Sequence, residues 1–178
     1  MKIFNPLASN VEPLTVFSSQ TTGAQQQKWY NVVQGIMNAS SVFFSTNPNN
    51  VMMEVACEST GKCDTDQQSF KGYLARWMAA SIKVAPFVES WVMPRLQASA
   101  QAAVMTCTAG IDGNQCGLEW TKQANDGNMG VGEQLAALEV VQSNLIMESY
   151  SPVTNSTGGT SKGNPAAGGN SGSTPSPR

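Results

Sequence analysis

Asp64 and Asp66, one residue apart, are the nearest approach to a carboxylate pair in this chain. Paired carboxylates are what glycoside hydrolysis uses: one protonates the leaving oxygen, and the other acts as nucleophile or activates water. The twelve carboxylates include no two adjacent aspartates. Asp64 and Asp66 also stand just ahead of an apolar-periodic run, where aspartates cap a helix and complement its dipole, and that reading takes precedence. Glu133 and Glu139 lie six apart on a later helix and so on different faces. Histidine is absent, which excludes Ser-His-Asp and Cys-His nucleophilic arrangements. Gly130-x-Gly132 has no preceding strand, no third glycine and no Lys-Ser/Thr pair, so it is not a phosphate loop.

Aromatic faces pack on the apolar faces of sugar rings, and Phe70, Trp77 and Trp120 have the right chemistry. Trp77 falls on an apolar helical stripe and reads as core. Trp120 sits in a Gly/Asn-rich stretch and reads as the exposed candidate. Lys71 comes early in a helix, against the dipole, which points to a pairing with Asp66, a contact with a glycan, or an ordinary solvated lysine. Four cysteines fall in two local pairs, Cys57 with Cys63 and Cys107 with Cys116, each spanning a polar, Gly-containing loop that a disulfide could close. A zinc site and four buried thiols are the alternatives; the spacing is wide for zinc and no histidine can help. Asn38-Ala-Ser40 and Asn155-Ser-Thr157 are N-glycosylation sequons.

The elements that must position these residues are helices. Residues 25–45 carry Trp29, Val32, Val33, Ile36, Met37, Phe43 and Phe44 at mostly helical spacing, and Asn47-Pro48-Asn49-Asn50 ends that run. A second helix is announced by a capping box, Thr65 with Gln68, followed by Phe70, Leu74, Trp77, Met78 and Ile82 on one face, with Pro86 closing it. A turn over 87–92 leads to Pro94, expected in the first turn of an alanine-rich third helix running to about 108. A fourth helix, about 132–148, sets Leu135, Leu138, Val141 and Leu145 on one stripe, expected to face the core. No strand is expected. The fold class is all-α, with long loops of the kind that build binding faces.

Charge is sparse at 12%, with 10 basic and 12 acidic side chains and a net of −2. No clustered basic face exists, which argues against nucleic acid as a partner. Residues 1–24 are expected to be an irregular lead, 25–150 the folded body, and 151–178 a disordered Ser/Thr/Gly/Pro stalk. Met1-Lys2-Ile3-Phe4-Asn5 makes a poor signal peptide and no apolar run follows the stalk. The expectation is a piece of a longer secreted precursor.

Several of these segments, in this order and spacing, carry a family resemblance. They are Trp29…Gly35…Asn38-Ala39…Phe43-Phe44, Asp66-Gln67-x-Ser69-Phe70-Lys71-Gly72 with Arg76-Trp77, Cys116-Gly117-x-x-Trp120, and Gly130-Val131-Gly132-Glu133-Gln134 continuing to Gln142. Together they resemble the C-terminal part of the fungal mannan endo-1,6-alpha-mannosidases of glycoside hydrolase family 76. The resemblance implies a partial (α/α)6 barrel made of the later helical hairpins, with a groove at one end. It implies retaining, two-carboxylate cleavage or transfer of alpha-1,6-mannosidic linkages in mannan or glycolipid-anchor glycans, with no cofactor and no metal. It also implies a secreted protein at the plasma membrane and cell wall, held by a glycolipid anchor in the full-length form only. The family's adjacent Asp–Asp catalytic pair has no counterpart here, so no catalytic residue is carried over. Substrate contacts are expected from Asp66, Gln67, Phe70 and Lys71 at the start of an inner helix, then from Trp120 and Gln134. A non-catalytic secreted glycan-binding or structural wall protein is the alternative.

Overall fold

The computed structural model describes residues 21–152. The chain divides into two units, Met1–Ile146 and Met147–Arg178. Of the second, residues 147–152 are described and are exposed. Most of the expected lead and stalk, and Asn155 with them, lie outside the described residues.

Among the described residues, the first unit's earliest element is helix α1, Gly23–Ala39, which buries only Val33 and Met37. It tightens into a 3-10 turn, Ser40–Phe43, where the Ser40 hydroxyl donates to the Ile36 carbonyl at 2.8 Å. The chain then makes a small antiparallel hairpin, β1 (Phe44–Thr46) and β2 (Asn49–Met52), pairing Phe44 with Met52 and Thr46 with Asn49. This corrects the expectation of an unbroken helix to residue 45 and no strand. Phe43, Phe44, Val51 and Met52 are buried, and of the Asn-Pro-Asn-Asn segment that ends the helical pattern Asn47-Pro48 makes the hairpin's turn while Asn49 and Asn50 begin β2. The hairpin is fixed by a distant residue: Met52 N–H donates to Ser99 Oγ at 2.9 Å, and Ser99 Oγ donates to the Asn50 carbonyl at 3.2 Å.

Three more α-helices follow: α2 (Phe70–Val84), α3 (Glu89–Met105) and α4 (Val131–Ser143). α2 and α3 form an antiparallel hairpin through a 3-10 turn at Pro86–Val88. α3 starts five residues before Pro94, which therefore lies inside the helix rather than in its first turn. The carbonyl that Pro94 cannot satisfy belongs to Ser90, which is exposed to water.

α2 and α4 run parallel. A Cβ on Gly132 would sit 2.8 Å from Gln68 Cβ, one on Gly72 would sit 3.1 Å from Ala136 Cα, and Arg76 pairs with Glu139. The two helices meet through Gly72 and Ala136, so their backbones approach closely. Two parallel helices with an antiparallel helix between them in sequence are consecutive hairpins laid side by side, as in a ring of hairpins. The class is all-α, a partial helical domain.

One expected stripe is turned around. Leu138, Val141 and Leu145 are 57%, 41% and 57% exposed, while α4 buries Ala136, Ala137, Val140, Glu133, Glu139 and Ser143. α4 is apolar on both sides, as a helix within a larger helical assembly is. Periodicity located the stripe; it could not say which side this chain covers.

Candidate functional site

The parallel arrangement places the N-terminal ends of α2 and α4 next to each other, with the 106–130 loop beside them. At the start of α2 the chain makes a 3-10 turn, Gln67–Ser69. Asp64 N–H donates to Gln67 Oε1 at 2.7 Å, Gln67 N–H donates to Asp66 Oδ1 at 3.0 Å, and Ser69 Oγ donates to the Asp66 carbonyl at 2.9 Å. The glutamine's return bond thus runs from the Asp64 amide to Gln67, one position earlier than the expected Thr65 and Gln68, while the side chain that accepts the Gln67 amide is that of Asp66. Asp66 is exposed and its carboxylate is committed to the turn, while Gln67 and Phe70 are half-buried.

Lys71 is not a surface residue. It is 0% exposed, and its ammonium donates to Glu58 Oε1 at 2.6 Å and to the Leu118 carbonyl, with the Trp120 ring centroid 4.1 Å away. Neither a pairing with Asp66, nor solvation, nor a direct glycan contact is compatible with that burial. Burial holds the Lys71 pKa below its ordinary value against the opposing pull of Glu58. Glu54, also buried, is pushed up by desolvation and further by Glu58, against the Ala56 amide and Lys71.

Trp120 is likewise 0% exposed, contrary to its expected exposure. Its Gly/Asn-rich surroundings suggest a surface loop, but that loop is tied down on every side. Cys107 and Cys116 are joined, as are Cys57 and Cys63, so both pairs are disulfides and no thiolate remains for a zinc site. Gly117 N–H donates to Thr106 Oγ1 at 3.1 Å, and Asn125 Nδ2 donates to the Thr106 carbonyl at 2.9 Å. Asp126 accepts from the Leu118 amide at 3.0 Å and the Glu119 amide at 3.3 Å. Burial pushes the Asp126 pKa up, but the Asn128 side chain and these two amides outweigh it and hold the carboxyl below its ordinary range. A Cβ on Gly117 would lie 2.6 Å from Asp126 Oδ1, so the contact needs glycine.

Gln134 is exposed at the start of α4, and its Oε1 accepts from the Cys116 amide at 3.2 Å. With Asn114, Gln115, Met129, Gly130 and Val131 it lines an open cleft of about 580 Å³. Behind the cleft Glu133 is buried, reaching back so that a Cβ on Gly130 would come 2.9 Å from its Oε2. Further along α4, Glu139 is bound by Arg76 and by Gln142 Nε2 at 2.9 Å. These partners, Arg76 first, hold its pKa down against burial.

The structure therefore joins Asp66, Gln67, Phe70 and Gln134 into one partly exposed end and moves Lys71 and Trp120 beneath it. Sequence reasoning missed Glu58, Asp126 and the buried role of Glu133. Asp126-Gly127-Asn128 is an Asx-type turn signal that could have drawn attention to Asp126. Glu58, next to a cysteine, carries no spacing signal. Asn38 is exposed near the end of α1. No helix among the described residues is long and apolar enough to cross a membrane.

Helical hairpins side by side, with an amide-rich cleft at the end where their loops gather, define an all-α protein of the class that includes ring-shaped helical glycosidases. Comparison with known proteins makes this specific: the family model for glycosyl hydrolase family 76 matches residues 18–156, and the chain belongs to that family. It is 42% identical over 148 residues to the mannan endo-1,6-alpha-mannosidase DFG5 of Saccharomyces cerevisiae, covering 83% of this chain and 32% of that protein. It is 40% identical to the mannan endo-1,6-alpha-mannosidase DCW1 of Candida albicans, covering 81% and 32%. Among solved structures, Dfg5 from Chaetomium thermophilum in complex with glucosamine superimposes with a TM-score of 0.75 at 31% identity, covering 84% of this chain and 37% of that one. The chain thus spans about a third of the length of these relatives.

Proposed function

We propose that this chain is the later part of a mannan endo-1,6-alpha-mannosidase domain, supplying sugar-binding surface rather than the reacting carboxylates. The whole domain acts on alpha-1,6-mannosidic linkages of fungal cell-wall mannan or of glycolipid-anchor glycans. The observation that carries this is the match to relatives of that name over most of this chain, together with the absence of an adjacent Asp–Asp pair from all 178 residues. A neutral glycan asks for hydrogen-bonding groups and an apolar platform rather than charge. Asp66, Gln67 and Gln134 offer the former and Phe70 the latter. Lys71 and Trp120 support that face from behind.

Two disulfides and the exposed Asn38 of a sequon support passage through the secretory pathway, with an N-glycan at Asn38. Asn155 is a second proposed glycan site, and a glycolipid anchor would hold the full-length protein at the plasma membrane and wall. The absence of the catalytic pair also favours a second reading, a non-catalytic secreted protein that binds wall glycan or serves as wall structure.

The test is titration of the 178-residue chain with alpha-1,6-mannotriose, followed by product analysis. Binding without cleavage is expected, and weaker binding by Gln134→Ala locates the site. Cleavage by this chain alone would overturn the division of labour, and no binding would remove the sugar-facing end. Complementation separates the two readings: adding the upstream part of a relative's domain restores cleavage only if this chain is the later part of an enzyme.

A further inference from the structure

The Lys71 ammonium has three receivers on two other parts of the chain: Glu58 Oε1 on one, and the Leu118 carbonyl and the face of the Trp120 ring on the other. Glu58 belongs to the short turn Glu58–Thr60, tethered at its base by the Cys57–Cys63 disulfide. Lys71 itself is in the first turn of α2. Leu118 and Trp120 belong to the loop braced by Asp126. A fully buried cation is a costly way to hold elements together, because an apolar side chain of similar volume packs there without the loss of hydration. What the cation adds is direction, since its receivers fix the Glu58 turn and the 118–120 loop relative to the start of α2.

The chain of contacts continues to the surface. The Leu118 carbonyl meets Lys71, the Leu118 amide meets Asp126, and two residues back the Cys116 amide meets Gln134 Oε1. We infer that Lys71 is a positioning residue: by holding Leu118 and Trp120 against the disulfide-tethered Glu58 turn, it sets where the 116–122 loop, and through it Gln134, stands beside the sugar-facing end. This inference rests on the glycan-binding reading of that end for its functional consequence, but not for the strut itself.

The test compares Lys71→Met with the double variant Lys71→Met/Glu58→Met. The single variant strands a buried carboxylate and is expected to unfold at much lower temperature. The double variant removes both charges at similar volume and recovers most of the melting temperature. With global stability restored, amide exchange of residues 118–122 should still be about tenfold or more faster than in wild type, while the amides of α2 and α3 stay protected. Affinity for alpha-1,6-mannotriose should fall by about tenfold in the same protein, the cost of losing one well-placed hydrogen-bonding group. Wild-type exchange in 118–122 in the double variant would overturn the inference and leave Lys71 a buried charge only. If wild type fails to bind mannotriose, the glycan reading falls, and the exchange comparison still decides whether Lys71 is the strut.

Discussion

The end of the molecule at the starts of α2 and α4 and the flank formed by α3 and α4 differ in how complete they are. At the first, many polar groups find partners within the chain (Asp66 with the Gln67 amide, Lys71 with Glu58 and Leu118, Asp126 with two amides, Gln134 with Cys116), while Glu58 Oε2, Trp120 Nε1 and Glu133 Oε2 are buried without a hydrogen-bond partner. At the second, Val104, Met105, Leu138, Val141 and Leu145 stand between 41% and 57% exposed. Contiguous apolar surface of this kind marks a place where another surface belongs. The contrast teaches that the loop end is held together largely by contacts within this chain, whereas the flank leaves apolar surface open, in a chain that spans about a third of its relatives' length.

The comparison can be broken from either side. The largest effect is expected at Trp120→Ala: removing a fully buried indole from beneath the loop should cost about 3–5 kcal/mol, measured by urea unfolding. A cost under 1 kcal/mol would mean that the loop is not anchored there. Next comes Gly72→Ala, where the new methyl meets the Ala136 backbone at 3.1 Å and neither helix can yield without moving the other. A loss of about 1–3 kcal/mol is expected, and a neutral result would contradict the close approach of α2 and α4.

A smaller effect concerns pH. The folded Asp126 carboxyl lies below its ordinary range, so its contribution is fully present above the unfolded value near 4 and is lost as pH falls through the folded value. Thermal melts from pH 7 down to pH 3 should show wild type losing more stability than Asp126→Asn over that interval, by a small amount because Asp126 is partly exposed and its charge is screened by solvent. Parallel curves would show that the carboxylate's charge does not hold the loop. Glu54, with its raised pKa, works in the opposite sense, its contribution fading as pH rises. The smallest effect on stability, about 0.5 kcal/mol or less, is expected for Leu138→Glu with Val141→Lys on the open flank. The same pair should shift sedimentation toward monomer. Unchanged association would show that the flank is not where copies meet.

Much of this was legible because it was local. The cysteine pairs, the starts of α2 and α4, and the cap at Asp64–Gln67, off by one position, follow from spacing within a few residues. What was not legible depended on distant partners. The hairpin is held by Ser99, nearly fifty residues away, and Phe43 and Phe44 before its turn mimic a continuation of the helical spacing. Trp120 sits in a composition typical of exposed loops, yet Thr106, Asp126 and Lys71 draw it inward. Leu138 and Val141 make a proper stripe, but no pattern within α4 says whether its cover lies in the same chain. Of the candidate site, Asp66, Gln67, Phe70 and Gln134 lie at the starts of α2 and α4, whereas Lys71 and Trp120 took up buried positions that only tertiary contact could assign.

Ser40 brings a consequence of another kind. Its hydroxyl is bonded to the Ile36 carbonyl and its surface is fully covered, while Asn38 two residues earlier stays open. A sequon is read with its hydroxyl free and its backbone extended, so Asn38-Ala-Ser40 can be read only before α1 closes. A glycan at Asn38, as proposed, would therefore have to be added before α1 closes, and its presence or absence would record which of the two events came first.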